Sequence, residues 1–265
     1  MNIKLNSRKR EMILVVQVLT KRPQRIRLRV KDAYKPNTYY TNRYKTVRGK
    51  NTFYVRMPQS PSRAIIQVFN EKNGNLPKGV DRTFKVAKLK VIPLKKHFCP
   101  EDAEDMTTRS FIDFAKDFSE NAGILSAHNS IYRSDGGDFR IDYLNVIRNR
   151  KTGKKLNTPA RISRSRGVIE VSKKHYKRYT VPMRLAILFH EYSHFWLNVD
   201  STSEMEADIN GLIIYLGLGY PRIEGQQAFL DVFKKAPTEL NKKRYKLLNS
   251  FIKNFDSLQL RRCAA

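Results

Sequence analysis

The chain has 265 residues, of which 40% are hydrophobic, so it can bury a core and is not a wholly disordered protein. No apolar run approaches the roughly 20 residues of a membrane-spanning helix, and we therefore expect no membrane span. The formal net charge is +28, which favours polyanionic partners over basic ones.

The cysteines and the N-terminus bear on the cellular compartment. Cys99 and Cys263 are far apart and supply neither a disulfide framework nor a pair of metal ligands, which favours a reducing compartment. Residues 12–19 follow a basic start and superficially suggest a signal peptide. Gln17 interrupts that run, and no small-residue cleavage site follows it. A β-strand is the better interpretation, and the predicted location is the cytoplasm or a phage particle.

Residues 11–94 alternate between apolar and polar side chains with a period of two, which is typical of strands. Clusters of Pro, Gly and Asn separate the strands. We predict a basic all-β domain over residues 1–96, built as a small antiparallel sandwich or barrel. Its predicted strands are Met12–Leu19, Arg25–Val30, Lys50–Met57, Arg63–Phe69 and Arg82–Ile92.

This domain carries most of the positive charge. Residues 1–96 contain 25 Lys and Arg against 4 Asp and Glu, a net charge of +21. Strands 25–30 and 82–92 are apolar on one face and basic on the other, so these faces are predicted to bind a polyanion such as nucleic acid, or an assembly partner. Four tyrosines that could stack on bases lie in a predicted basic loop: Tyr34, Tyr39, Tyr40 and Tyr44.

Residues 93–100 resemble a linker, and a second domain is predicted over residues 97–265. An amphipathic helix with acidic residues near its start is expected from about residue 101 to residue 121. Residues 148–166 are rich in Arg, Lys, Gly and Ser and are predicted to form a loop. The predicted strands of this domain are 130–133, 139–147 and 167–172.

Residues 190–194 read His-Glu-Tyr-Ser-His, within a segment whose apolar spacing predicts a helix from Thr180. On a helix, side chains at i and i+4 share a face, so His190 and His194 can direct two imidazole nitrogens at one metal ion. Such a pair suits Zn²⁺. Glu191, next to the first histidine, is placed to take a proton from a metal-activated water. The implied chemistry is hydrolysis, most often of a peptide bond.

Ten residues after His194, the segment Glu204-Met-Glu-Ala-Asp208 opens a second apolar helix. HExxH followed by Glu-x-x-Ala-Asp resembles the gluzincin branch of the zincin metallopeptidases. The resemblance implies that Glu204 is the third zinc ligand and that Asp208 orients His190. It also implies a zincin-like domain whose edge strand holds extended substrate, and we expect residues 139–147 or 167–172 to be that edge.

Two other acidic residues are alternative third ligands. Fewer residues separate His194 from Glu204 than in most gluzincins, which leaves Glu206 as a substitute. The metzincin pattern would place a ligand at Asp200, although Leu197 stands where that pattern has glycine.

Two further amphipathic helices are expected near residues 222–235 and 238–255, the second capped by Thr238. The sequence does not rank the candidates for stabilising the oxyanion of a tetrahedral intermediate. They are His175, Tyr176, Tyr179, Tyr215 and Arg244.

These patterns favour a zinc-dependent metallopeptidase acting on protein or peptide and anchored through its basic β-domain. The alternative is a structural component of a larger homo- or hetero-oligomeric assembly, such as a bacteriophage virion, that retains a zincin fold with structural or one-time activity. A nucleic-acid-binding regulator with a peptidase domain is a third interpretation, but no helix-turn-helix pattern supports it.

Overall fold

A computed structural model describes residues 1–77, 79–96, 105–124, 128–198 and 200–257. The chain divides into two compact units, Met1–Lys95 and Lys96–Ala265. The first contains an antiparallel sheet and the second combines helices with a smaller sheet, so the fold is mixed α+β. Within the described ranges, no helix is long and apolar enough to cross a membrane. Cys99 and Cys263 lie outside the described residues. The helix predicted from about residue 101 begins instead at Met106, because Asp105 is extended and caps it, and its first turn contains no acidic residue.

The first unit is a single five-stranded sheet. Its strands are β1 (Asn2–Leu5), β2 (Met12–Asp32), β3 (Tyr39–Met57), β4 (Ala64–Asn70) and β5 (Phe84–Ile92). All pairings are antiparallel: β3 runs along one side of β2, whereas β5 and β4 share the other side, and β1 pairs with β4. No pairing between described strands joins β3 to β1 or β5. The predicted antiparallel sheet is confirmed, but the barrel alternative is wrong, because the described strands do not close into a barrel.

Two predicted strand boundaries in this sheet are also wrong. The segments 12–19 and 25–30 form one strand, because a register shift between Thr20 and Gln24 accommodates Pro23, which has no N–H to donate. The predicted tyrosine loop is largely strand, since β3 already begins at Tyr39. Basic and polar side chains dominate this half of β3 and hide the apolar alternation.

The sheet has one buried face and one outward face, and the side chains of the long strand β2 alternate between them. Alternate residues are fully buried, with Ile26 and Leu28 at 0% exposure. Because successive side chains of a strand point to opposite faces, the residues between them lie on the outward side. The buried residues of β2 include Leu14, Val16, Val18, Ile26, Leu28 and Val30.

The second unit contains a four-stranded sheet and six helices among the described residues. The elements are α1 (Met106–Asn121), β6 (Ser130–Arg133), β7 (Arg140–Leu144), β8 (Ala160–Ser163), β9 (Val168–Ser172), α2 (Lys173–Tyr176), α3 (Val181–Tyr192), α4 (Glu204–Gly217), α5 (Arg222–Lys235) and α6 (Glu239–Asn254). The strand order is β6-β7-β9-β8, with β7 and β9 parallel and the other pairs antiparallel.

This order overturns the predicted edge strand. Residues 139–147 and 167–172 supply β7 and β9, the two central strands, whereas β6 and β8 lie at the edges. β8 falls inside the predicted loop 148–166. It has four residues, Ala-Arg-Ile-Ser, which are too few to show a period of two within an Arg- and Ser-rich segment.

Helix α3 lies at the centre of the second unit, and all 12 of its residues are buried. It begins as predicted at Thr180, whose side chain accepts a hydrogen bond from Met183 N. Residues 193–197 then form a π-helical turn, closed by the 2.8 Å hydrogen bond that Asn198 N donates to Ser193 O. Tyr192 stacks between Phe111 and Trp196, at 4.2 Å and 5.0 Å between ring centroids, and braces this turn.

Candidate metal centre

The two histidines of the motif converge as their spacing predicts. His190 lies in the last turn of α3 and His194 in the π-helical turn that follows, and both are buried. Their Nε2 atoms are 3.2 Å apart. Without a metal, one ring can donate an N–H···N hydrogen bond to the other at this distance, and a cation that takes both lone pairs would hold the two nitrogens at a similar separation.

Helix α4 brings Glu204 to this pair. The helix begins at Ser203, which accepts a hydrogen bond from Glu206 N, and so Glu204 is its first residue. α4 crosses α3 closely because Gly211 has no side chain: a Cβ there would lie 2.8 Å from His190 N. The Glu204 carboxylate oxygens lie 3.6 Å from His190 Nε2 and 3.4 Å from His194 Nε2.

These distances fit a small tetrahedral ion. Zinc lies about 2.0–2.2 Å from its N and O ligands, so two ligand atoms of a tetrahedral site are separated by about 3.3 Å. Here the two Nε2 atoms are 3.2 Å apart, His194 Nε2 is 3.4 Å from Oε1 of Glu204, and His190 Nε2 is 3.6 Å from the other oxygen, Oε2. Among the described residues, His190, His194 and Glu204 form the one such group able to hold a metal ion. The alternative ligands Glu206 and Asp200 lie outside it.

Asp208 and Arg244 fix two of the three ligands. Asp208 Oδ1 is 3.0 Å from His190 Nδ1, which is where a carboxylate must be to hold a histidine proton on Nδ1 and leave Nε2 for metal. Arg244 in α6 donates to both oxygens of Asp208, at 2.7 and 2.9 Å, and its Nη2 is 3.0 Å from Glu204 Oε2. One guanidinium therefore connects a ligand to the residue that orients another ligand.

The carboxylates stay ionised through these contacts. Hydrogen bonding with His194, helped by His190 and Arg244 and opposed by burial, lowers the pKa of Glu204 to about 2. Burial opposes the charge of Asp208, but hydrogen bonds with His190 and Arg244 outweigh it and hold the pKa of Asp208 below its ordinary value. Both groups are therefore anionic at neutral pH, as a cation site requires.

Glu191 has a different environment. It is buried, and burial raises its pKa despite the opposing effects of His190, His194 and the main-chain N–H of Ile162, which donates to its carboxylate. A carboxylate with a raised pKa accepts a proton more readily near neutral pH. Glu191 thus combines the position and the basicity of a proton acceptor, and its partner Ile162 belongs to the edge strand β8.

Comparison with known proteins does not place this chain in a family. No protein-family model, curated protein or solved structure matches this chain. The resemblance to gluzincins depends on residues 180 to about 216.

Sequence reasoning missed Arg164, which follows β8. Its Nη2 lies 2.8 Å from His194 Nδ1, and its Nη1 donates to Ser201 O at 2.9 Å. A guanidinium only donates, so Nδ1 accepts in this arrangement and the ring proton is on Nε2. A metal bound to Nε2 needs that proton on Nδ1, and Arg164 must then withdraw from His194. No sequence spacing signals this contact, because the two residues meet only through the fold.

A cavity of about 260 Å³ opens beside the three candidate ligands. Glu191 and β8 line it on one side, and apolar side chains from α3 and α5 line it elsewhere: Ile187, Phe229, Val232 and Phe233. Within the part of the chain that the structure describes, Arg244 is the only one of the five oxyanion candidates that lines this cavity. Tyr176 and Tyr215 instead donate their hydroxyls to the carbonyls of Arg184 and Pro221.

Proposed function

We propose that the second unit is a zincin-like peptidase domain, in which zinc is held by His190, His194 and Glu204 and peptide bonds are hydrolysed. One observation carries this proposal: two imidazole nitrogens and a carboxylate, close enough to share one metal ion, lie beside a buried carboxylate whose pKa is raised. A structural metal site has no use for such a carboxylate, since structural sites are closed by a fourth protein ligand.

A bound zinc ion would polarise the scissile carbonyl and make a water molecule more acidic. The chain's own residues do the remaining work. Glu191 accepts a proton from the attacking water at its carboxylate and passes it to the nitrogen of the leaving amine. Asp208 keeps the His190 proton on Nδ1, and Arg244 holds Asp208 and Glu204 in place.

The edge strand β8 supports an extended peptide as substrate. In an antiparallel pair, alternate residues turn their main-chain groups toward the neighbouring strand. Ser172 N donates to Pro159 O at 2.8 Å, so residue 159 faces β9 and the main-chain groups of Ala160 and Ile162 face away from it. Thr158 Oγ1 already donates to Ala160 O at 2.7 Å and Ile162 N–H to Glu191, so an extended segment would pair with the remaining main-chain groups of this edge. The apolar wall of the cavity suits an apolar substrate side chain.

The test is zinc content together with cleavage of an unfolded protein, such as casein, by the wild-type chain and by Glu191→Gln. Glutamine has the same shape but cannot take up the proton. We expect one zinc per chain in both proteins and a rate about 10²–10⁴-fold lower in the variant.

Other outcomes separate the alternatives. Zinc in both proteins with no cleavage by either would replace the peptidase with a structural zinc protein, such as an assembly component. Cleavage that is equally fast in Glu191→Gln would remove Glu191 from the mechanism. Absence of zinc from a wild-type chain purified with excess zinc would refute the ligand assignment itself.

A further inference from the structure

The outward side of the first unit carries a regular array of cations. β2 has Arg25, Arg27, Arg29 and Lys31 at alternate positions. The residues between them, including Ile26, Leu28 and Val30, are 0% exposed. The four basic side chains therefore all lie on the outward side, about 6.8 Å apart along the strand.

Neighbouring strands extend this array sideways. Arg27 is paired with Tyr44 of β3 and Arg29 with Asn42, and Lys31 is level with Tyr39. On the other side, Lys31 pairs with Ile65 of β4, which pairs with Lys4 of β1. We use the term basic face for Lys4, Arg25, Arg27, Arg29, Lys31, Tyr39 and Tyr44.

Little negative charge offsets the basic face. Glu71 forms ion pairs with Arg25 and Arg27. Asp32 is buried on the opposite side of the sheet, where it accepts hydrogen bonds from the main chain of Tyr34 and Lys35. Among the described residues, no acidic side chain pairs with the remaining cations of the face, Lys4, Arg29 and Lys31. Their charge is available to an external anion.

Planar groups are interleaved with the cations. The Tyr44 side chain is 51% exposed, and the guanidinium of Arg25 lies 3.6 Å from its ring centroid. Arg29 lies 5.4 Å from the ring centroid of Tyr39 and 5.7 Å from that of Phe69. Aromatic rings and guanidinium planes are the surfaces on which unpaired bases stack. A lipid headgroup or an acidic peptide would bind through the positive charges alone and would not require the aromatic rings.

The basic face leads into a cavity of about 550 Å³. Its lining includes Lys4, Arg63 and Tyr34, and Tyr34 is 64% exposed. A concave site with two cations and an exposed aromatic ring offers an extruded base a stacking surface and its phosphate a counter-charge.

We propose that the basic face binds single-stranded nucleic acid. A sheet presents its side chains as a flat platform, on which splayed bases can lie, whereas a duplex keeps its bases stacked and its major groove takes a helix or a two-stranded ribbon. Further positive charge lies on β5, where Lys85, Lys88 and Lys90 are exposed and are paired with Leu19, Gln17 and Val15 of β2. This proposal is independent of the metal centre.

The test measures binding of a fluorescein-labelled oligothymidylate of about 16 nucleotides to the full chain by fluorescence anisotropy. The triple variant Lys4→Gln/Arg29→Gln/Lys31→Gln removes three cations of the face. The matched control Arg8→Gln/Lys9→Gln/Arg10→Gln removes three exposed cations from the turn before β2. We expect at least about tenfold weaker binding for the first variant and a plot of log K against log salt shallower by about 2, with a much smaller change for the control.

A tyrosine variant distinguishes base stacking from charge alone. Tyr44→Ala is expected to weaken oligothymidylate binding about tenfold with an unchanged salt slope, whereas Tyr44→Phe should bind like the wild type. The oligonucleotide should also bind more tightly than a duplex of equal length, poly-glutamate or phosphatidylserine vesicles in competition. An equal loss of oligothymidylate affinity in both triple variants would show that the nucleic acid does not bind at the basic face. Equal competition by the vesicles or poly-glutamate, or indifference to Tyr44→Ala, would overturn the nucleic-acid assignment.

Discussion

Arginine side chains have different environments in the two units. In the second unit, the Arg244 side chain is 10% exposed and contacts two carboxylates, those of Asp208 and Glu204. In the first unit, the Arg25 side chain is 50% exposed and shares one glutamate, Glu71, with Arg27. A buried charge needs its own partners because its desolvation is costly, whereas exposed charges act together as a field.

This difference predicts how each unit responds to mutation. Single substitutions near the metal centre should have large effects, since each charge there has a specific partner. Removing a single cation from the basic face should have a small effect, because several similar cations remain. The following predictions test that contrast, from the largest expected effect to the smallest.

Glu204→Gln should weaken zinc binding the most. It removes the anionic ligand, and we expect a loss greater than the roughly 10–100-fold produced by changing a residue that only supports a ligand. The measurement is titration of the metal-free protein with zinc against a competing chelator. The control is Glu206→Gln, on the same helix but outside the ligand group, which should bind zinc like the wild type. If Glu206→Gln lost more zinc affinity than Glu204→Gln, Glu206 and not Glu204 would be the third ligand.

Arg244→Gln should destabilise the fold by about 3–5 kcal/mol, because it leaves the buried Asp208 carboxylate without its main counter-charge. Arg29→Gln removes the same charge from the basic face and should change the free energy of unfolding by less than about 0.5 kcal/mol. Urea unfolding of both variants with zinc removed gives the comparison. Similar losses in the two variants would contradict the distinction between specific and collective charges.

Gly211→Ala should cost about 1–3 kcal/mol and also weaken zinc binding. The added Cβ would lie 2.8–3.0 Å from main-chain atoms of Phe189 and His190, so α4 must move away from α3 and carry Glu204 with it. Ile213→Ala, at a 37% exposed position of the same helix, is the control and should leave zinc affinity unchanged. Unaltered zinc affinity in Gly211→Ala would show that the helix spacing does not set the ligand geometry.

The ion pairs of Glu170 predict a smaller, pH-dependent effect. Burial opposes ionisation of Glu170, but Arg150 and Arg161 outweigh it and lower the pKa of Glu170 below its ordinary value. A lowered pKa in the folded state stabilises the protein above the unfolded pKa, and this contribution disappears as the pH falls through the folded value. Glu170→Gln should therefore cost about 1 kcal/mol near neutral pH and progressively less in acid.

Unfolding measured from about pH 7 to about pH 3 tests this sign. A difference between wild type and Glu170→Gln that grows in acid would contradict it.

The sequence predicted those features that depend on neighbouring residues. Thr180 and Thr238 cap helices as expected, because a hydroxyl next to an apolar helical run satisfies a free N–H within the same turn. His190 and His194 converge because their separation of four residues is itself a helical geometry. The mixed α+β class followed from the change from a period of two to helical spacing.

Features that depend on distant contacts were not predictable. β8 is defined by its pairing with β9 and has too few residues to show a pattern. The approach of Arg164 to His194 joins residues 30 apart in the chain. The first half of β3 is polar enough to resemble a loop, and its partner β2 is what makes it a strand. In each case the structure depends on how two distant segments come together, which the residues of either segment alone do not show.

The shortness of β8 sets a limit on substrate length. Only Ala160 and Ile162 turn their main-chain groups to the free edge, and the N–H of Ile162 is already bound by Glu191. A peptide laid along this strand soon runs out of main-chain partners. If the proposed peptidase activity is correct, the gain in kcat/KM on lengthening a substrate should therefore stop at about four residues, the span of the strand itself.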